Sequence, residues 1–247
     1  MEGVELAARF GSITNNLKYC GPSDFFSLFQ KYLQNKSEVN SIKLKNSISE
    51  FEAHFSYLKL IADANDLDPF DYEVCEAFWL GNDLLENVPT ENVRQMILSE
   101  LTGGGKMHID RSQKLADSLP ATIYPHHSFH VYFVKFITGK VEWTPKNADK
   151  CRVPFGKILG FRDSKRSAII EYRPVMSTND GMAFGKSANI SISTYLNDLA
   201  LIPDAEVGDW IAFHWDVGVK ILSLNEKGNL EKFTRQNLSS ASRTHLA

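Results

Sequence analysis

Cysteine is scarce in this chain of 247 residues: Cys20, Cys75 and Cys151 stand far apart, and no two of them form a C-x-x-C pair. That pattern excludes a disulfide framework or a cysteine-built structural zinc site, so any cysteine that matters here acts as a single thiolate. Long apolar runs are missing as well. The longest, FHVYFVKFI (129 to 137), contains a lysine and is far shorter than the roughly 20 residues a membrane-spanning helix needs. The opening MEGVELAARF lacks the basic and apolar regions of a signal peptide, so the expected location is the cytoplasm, with no membrane partner. An excess of one charge is also absent: 27 Lys and Arg against 30 Asp and Glu give a formal net charge of -3. Without a basic surplus, nucleic acid is not an expected partner.

What is present is an ordinary globular composition, 43% hydrophobic and 23% charged, in a chain long enough for two domains. The first half reads as helical. PSDFFSLFQKYLQ follows the turn signal CGP, offers Ser23 or Asp24 as N-cap, and sets Phe25, Phe29 and Leu33 at helical spacing. One long helix is expected from about Ser41 to Asn65, with Ile48, Phe51, Phe55, Leu58 and Ile61 on a stripe. PFDYEVCEAFWLGNDLLENV continues the pattern, placing Cys75 in the core between Val74 and Phe78; Pro89-Thr90 then caps TENVRQMILSEL. TGGGK marks a break, and a short helix near Arg111 to Leu119 stops at Pro120.

After Tyr124 the periodicity changes. SFHVYFVKFITGKVEW alternates, with Phe129, Val131, Phe133 and Ile137 on one side and ITGK as a hairpin turn. CRVPFGKILGF, SAIIEYRPV and GDWIAFHWDVGVKIL read as short strands, and NEKGNLEKFTRQNL as a closing amphipathic helix. The expected fold is α+β: a helical domain over 1–122, a connecting β-hairpin over 123–150, and over 151–247 a small OB-like β-barrel with a C-terminal helix. In DWIAFHWDV, read as one strand, alternation puts Ile211, Phe213, Trp215 and Val217 on one face and His214 with Asp216 on the other.

Two motifs fail on spacing. TGGGKMH has Met107 where a phosphate loop needs a hydroxyl, and reads as a flexible connector; DANDLDPFD has Leu67 at a calcium-ligand position. PHHSFH brings three histidines into five residues, which reads either as a metal or catalytic site using His126, His127 and His130 or as histidines satisfied at a domain junction. If the segment is extended, His126 and His130 lie about 13 Å apart at roughly 3.3 Å per residue, too far to share one ion. Cys20, just before a helix N-terminus, reads either as a thiol with a lowered pKa and a catalytic candidate or as a buried turn cysteine.

From Cys151 onward the chain resembles the HypC/HupF hydrogenase-assembly chaperones. The likeness rests on CRVPFGKILGF, with Cys151 and Gly156 at the family's cysteine and glycine, on VGDWIAFHW, with Gly208, Trp210 and His214 in register, and on VKILSLNEKGNLEKF at the end. It covers about 90 residues. The chain departs from the family in that Cys151 is internal, Pro154 is one place early, and Trp215-Asp216 replaces an apolar-Gly pair. The N-terminal half resembles, through NNLKYCGP, FWLGNDLL and PHHSFHV, bacterial proteins of unassigned function found near nickel-iron hydrogenase genes. The resemblance implies a chaperone or scaffold that carries the iron centre of nickel-iron hydrogenase, with its carbonyl and cyanide ligands. Its partners would be the hydrogenase large-subunit precursor and other maturation proteins. It further implies iron held by the Cys151 thiolate with His214 beside it. Asp216, two residues on along the same strand face, is expected to fix the His214 tautomer, His127 to be a further metal ligand, and Cys20, His126 and His130 to serve ligand chemistry in the other domain. A metal-dependent enzyme with a His126, His127, His130, His214 and Asp216 site between domains, or an interaction scaffold without cargo, are the rival readings.

Overall fold

The computed structural model describes residues 1–102, 107–179 and 181–243; apart from Thr102, the TGGGK segment lies outside the described residues. The N-terminal part is helical, and its centre is α1 (Gly3–Asn16), buried over most of its surface. A helix enclosed on all sides shows no amphipathic stripe, so periodicity does not announce it. Around it lie α2 (Phe25–Gln34), α3 (Glu38–Ser49), α4 (His54–Asp63) and α5 (Tyr72–Trp79). A 3₁₀ turn (Asp83–Asn87), α6 (Thr90–Ser99) and α7 (Ile109–Asp117) follow. The single helix expected over 41–65 is two, broken before His54 because Phe51 turns inward. There its ring meets Phe25 edge-on at 4.7 Å.

α5 ends at Gly81, whose φ of +87° is the left-handed conformation that L side chains avoid. A Cβ there would sit 2.3 Å from Cδ2 of Phe233, a fully buried ring. Gly81→Ala is therefore expected to cost about 2–4 kcal/mol, from left-handed strain plus overpacking. Urea denaturation checks this, and a loss under about 1 kcal/mol would contradict the packing described.

The hairpin expected over 123–150 does not form. Those residues hold one turn of helix, α8 (His127–Phe129), a π-helical turn (His130–Val134), and α9 (Pro145–Cys151). His126 caps the first turn by accepting the Ser128 N–H on Nδ1 at 3.1 Å. Val131, Tyr132, Phe133 and Val134 are all buried, so both faces of the supposed strand are covered and the alternation carries no inside-outside information. α9 starts in the usual way, with Pro145 in its first turn and Thr144 accepting the Asn147 N–H.

The rest is a five-stranded closed barrel: β1 (Phe155–Arg162), β2 (Ser167–Tyr172), β5 (Ala188–Ser193), β8 (Trp210–His214) and β9 (Val217–Leu222). Two-stranded ribbons, β3 (Val175–Thr178) with β4 (Gly181–Phe184) and β6 (Tyr195–Leu196) with β7 (Leu199–Ala200), decorate it. The order β1-β2-β5-β9-β8, with β5 and β9 parallel and the other pairs antiparallel, is OB-like, as expected of this α+β chain. Ile158, Ala168, Ile170, Ile192, Ile211 and Phe213 fill the interior. The C-terminal helix α10 (Leu224–Arg243) covers one side. Ala212, Val219, Leu230 and Phe233 join the core around α1, so barrel and helices share one hydrophobic interior. Among the described residues no helix is long and apolar enough to cross a membrane.

DWIAFHWDV is not one strand. β8 ends at His214 and β9 begins at Val217, with Trp215 and Asp216 forming a two-residue turn at φ +48° and +62°. Ile211 and Phe213 point into the barrel, while Ala212 and His214 point outward onto the helices. His214 is fully buried there instead of facing solvent.

Candidate metal centre

Cys151 and His214 meet because β8 pairs with the chain that leads into β1. Phe213 N–H donates to the Pro154 carbonyl, and Trp215 N–H to the Lys150 carbonyl, both at 2.9 Å. The end of α9 is thereby clamped beside the end of β8. His127 arrives from the first turn of α8, which α10 fixes through Asn237: its side-chain amide donates to the Tyr124 carbonyl at 3.1 Å and to Ser128 Oγ at 3.0 Å. One ligand atom from each of His127, Cys151 and His214 lies within 4.8 Å of the other two, and all three side chains are buried. This cluster could hold a metal ion.

His214 has the arrangement that metal-binding histidines use. His214 Nδ1–H donates to the Phe10 carbonyl at 3.0 Å, leaving a buried Nε2 with no partner among the described residues. His127 Nε2–H donates to the Cys151 carbonyl at 2.9 Å and the same nitrogen lies 3.8 Å from the Cys151 sulfur, while its buried Nδ1 has no partner among the described residues. A main-chain carbonyl on one nitrogen fixes the tautomer and leaves a lone pair on the other. Buried lone pairs without partners are costly, and a metal ion would satisfy them.

Burial governs the protonation states. It holds His127 well below the usual range and His214 down at about 4, the Phe10 and Cys151 carbonyls offsetting part of the latter shift. Both rings are neutral and able to ligate at pH 7. Burial also pushes the Cys151 thiol up, with the Cys20 sulfur adding to the rise and the Trp215 indole opposing it. The thiolate expected at Cys151 is thus a thiol in the metal-free chain; it must release its proton to solvent when a cation binds. The cluster opens onto a cavity of about 90 Å³, walled by Phe51, Phe78, Trp79 and Ile137.

The other expected site residues divide. His130 and Cys20 line the same cavity. His130 Nδ1 lies 3.2 Å from the Tyr57 hydroxyl, and burial lowers its pKa to about 4. Cys20 is not activated. Its thiol donates to Thr14 Oγ1 at 2.8 Å, and burial raises its pKa to about 12. α2 begins only at Phe25, too far along for its dipole to act on Cys20. His126 is a fully buried helix cap, stacked on Phe233, and stays outside the cluster. Asp216 does not orient His214: its place in the turn directs it to Lys150, with which it forms an ion pair. Cys75 is core, as expected.

Three participants were not identified from the sequence. Trp79 stacks on Phe10 at 4.9 Å and packs on His127 at 4.4 Å; His54 accepts its indole N–H at 3.1 Å; Trp215 covers Cys151 from the turn. FWLG and the WD turn were visible in the sequence, but nothing local tied either to the histidines.

A model of a family described as "Family of unknown function (DUF6390)" matches residues 1–247. No curated protein and no solved structure matches the chain.

Proposed function

The chain belongs to the DUF6390 family, and from its site we propose that it is a metal-handling protein of nickel-iron hydrogenase assembly. In this reading it binds the iron-carbonyl/cyanide fragment as cargo through Cys151, His127 and His214. The observation that carries the reading is the meeting of two buried, neutral imidazoles, each with one nitrogen lacking a partner among the described residues, and the buried Cys151 thiol. A thiolate with two imidazoles suits a transition metal of borderline or soft character, and iron with strong-field diatomic ligands belongs to that class. The apolar cavity next to the donors has room for small ligands.

Position in the fold supports the same reading. Cys151 stands just ahead of the first barrel strand and His214 ends the fourth, where the resemblance to HypC-type chaperones requires them. Here the helical part supplies His127 and closes over the cysteine. The partners in this proposal are the hydrogenase large-subunit precursor and other maturation proteins, and the compartment is the cytoplasm.

The test is full-length protein co-expressed with hydrogenase maturation proteins, followed by metal analysis and infrared spectroscopy. Iron and the carbonyl and cyanide bands are expected on the wild type and lost in Cys151→Ala. The drop in metal affinity should exceed the roughly 10- to 100-fold carried by outer-shell partners. Bands retained in Cys151→Ala, or a full complement of another metal acquired without those proteins, would overturn the assignment.

A further inference from the structure

The cavity that Cys151 lines has one wall that belongs to no helix or strand. Residues 136–142 run between the π-helical turn and α9, and Phe136, Ile137, Thr138 and Val141 line the cavity from that side. Among the described residues the main chain of 136–143 makes no hydrogen bond to main chain elsewhere. Both ends of the segment are nonetheless fixed. Trp143 Nε1–H donates to the Val131 carbonyl at 2.8 Å, and the Lys135 ammonium lies 4.8 Å from the centre of the Trp143 ring. Between those anchors Gly139 turns the chain at φ +67°, and a Cβ there would meet nothing within 4 Å, so the bend stands clear of the protein.

The opposite lip of the cavity is held firmly. The buried Asn15 amide donates to the Cys20 carbonyl at 3.1 Å and to the Pro22 carbonyl at 2.7 Å, which fastens the turn carrying Cys20 to α1. Glu52, in the break between α3 and α4, lines the cavity and accepts the Gly21 N–H of that turn on Oε2 at 2.9 Å. Its other oxygen, Oε1, accepts from Lys140 Nζ at 3.4 Å. One carboxylate therefore joins the fixed lip to the tip of the irregular segment. Besides the packing of Ile137 and Val141, that ion pair is what holds the tip down.

A segment with fixed ends, no main-chain bonds and a single ionic catch opens at lower cost than the helices and barrel around it. We infer that residues 136–142 are a strap that gates the cavity, with Glu52 and Lys140 as its catch, and that small molecules reach Cys151 when the strap lifts, without unfolding of the protein. An ion pair at 3.4 Å between partly exposed groups is weak and screened by salt, so the catch sets a rate of access and does not seal the site. As regulation of the proposed metal centre this rests on the metal reading. The strap itself is defined without a metal, so either can fail alone.

The three cysteines supply the test. Full-length, metal-free protein is treated with N-ethylmaleimide under native conditions, and the initial labelling rate of each cysteine is followed by peptide mass spectrometry. Cys75 is fully buried, lies outside the cavity lining and reports global unfolding, while Cys151 reports the strap. Cys151 is expected to react at least about tenfold faster than Cys75. Lys140→Ala and Glu52→Gln should each raise the Cys151 rate about 2- to 5-fold and leave the Cys75 rate where it was. The shared direction is diagnostic, because through charge alone a lost cation slows formation of the reactive thiolate and a lost anion speeds it. Raising salt from about 20 mM to about 500 mM should accelerate Cys151 labelling in the wild type and leave Lys140→Ala unchanged. Equal rates at Cys151 and Cys75, variants without effect on Cys151, or opposite shifts in the two variants overturn the strap and leave the metal reading standing. If Glu52→Gln fails to fold, Lys140→Ala, at an exposed position, and the wild-type salt series decide the matter.

Discussion

Acidifying the metal-free protein from pH 7 to pH 5 is expected to remove most of its stability, with Tm falling by well over 10 °C. Four buried histidines and the half-buried His130 cause this. Burial holds His54 and His126 at about 3, His130 and His214 at about 4, and His127 lower than its ordinary value by a wide margin. In the unfolded chain each titrates near about 6.5. Above that pH both states are neutral and the histidines add no pH dependence. As the pH drops below it, the unfolded chain takes up protons that the native state refuses, so stability declines until the folded-state values near 4 to 3 are reached. At pH 5 each neutral histidine accounts for about 2 kcal/mol of lost stability. Five together reach about 10 kcal/mol, the size of a typical net folding free energy. Glu5, Glu226 and Glu231, whose partners hold their carboxyls below the ordinary range, extend the loss to lower pH. Thermal melts at several pH values, with circular dichroism as readout, test the expectation. A Tm that stays level between pH 7 and 5 would mean that the rings are solvated, and the candidate centre with them.

Asp149→Ala should cost about 3–5 kcal/mol and loosen the site at the same time. Arg152 is 1% exposed and follows Cys151 directly. Its charge is met by Asp149, with Nε donating to Oδ1 at 2.8 Å, while Nη2 donates to the Arg173 carbonyl at 2.9 Å. The same Oδ1 accepts the Val175 N–H at 2.8 Å, and Oδ2 accepts the Tyr172 hydroxyl at 3.3 Å. One carboxylate therefore ties α9, which carries Cys151, to β2 and β3. Removing it leaves a guanidinium buried and unpaired, which costs more than the pair itself contributes. The double variant Asp149→Leu with Arg152→Met should accordingly be more stable than Asp149→Ala alone. Denaturant titration of both settles the point, and a double variant no better than the single one would show that the buried charge is not the cause.

The elements that could be read from the sequence were those whose burial is one-sided. α2 and α10 carry clean stripes, and β1, β2 and β8 follow turn signals with short apolar runs, so helices, barrel and order all followed. Elements covered on every side defeated periodicity. α1 gave no stripe, and the run from Phe129 to Val134 alternates by accident because every residue in it except His130 is buried. The sequence brought Cys151, His214 and His127 forward through a resemblance and a histidine cluster, and the fold unites them. Asp216 was misassigned because a strand was extended through a turn whose two residues are neither Gly nor Asn, the usual markers. His54 could not have been found: its tautomer is set by Trp79, which lies 25 residues further along the chain on another helix.

The bond from His214 to the Phe10 carbonyl joins positions 204 residues apart. Its donor belongs to the fourth barrel strand and its acceptor to the first helix. During synthesis the ribosome has therefore released most of the polypeptide before the last imidazole emerges, and a nascent or prematurely stopped product offers no assembled chelate. Under the proposed metal reading, capture of an ion would mark only those molecules in which the first helix and the fourth barrel strand have found each other.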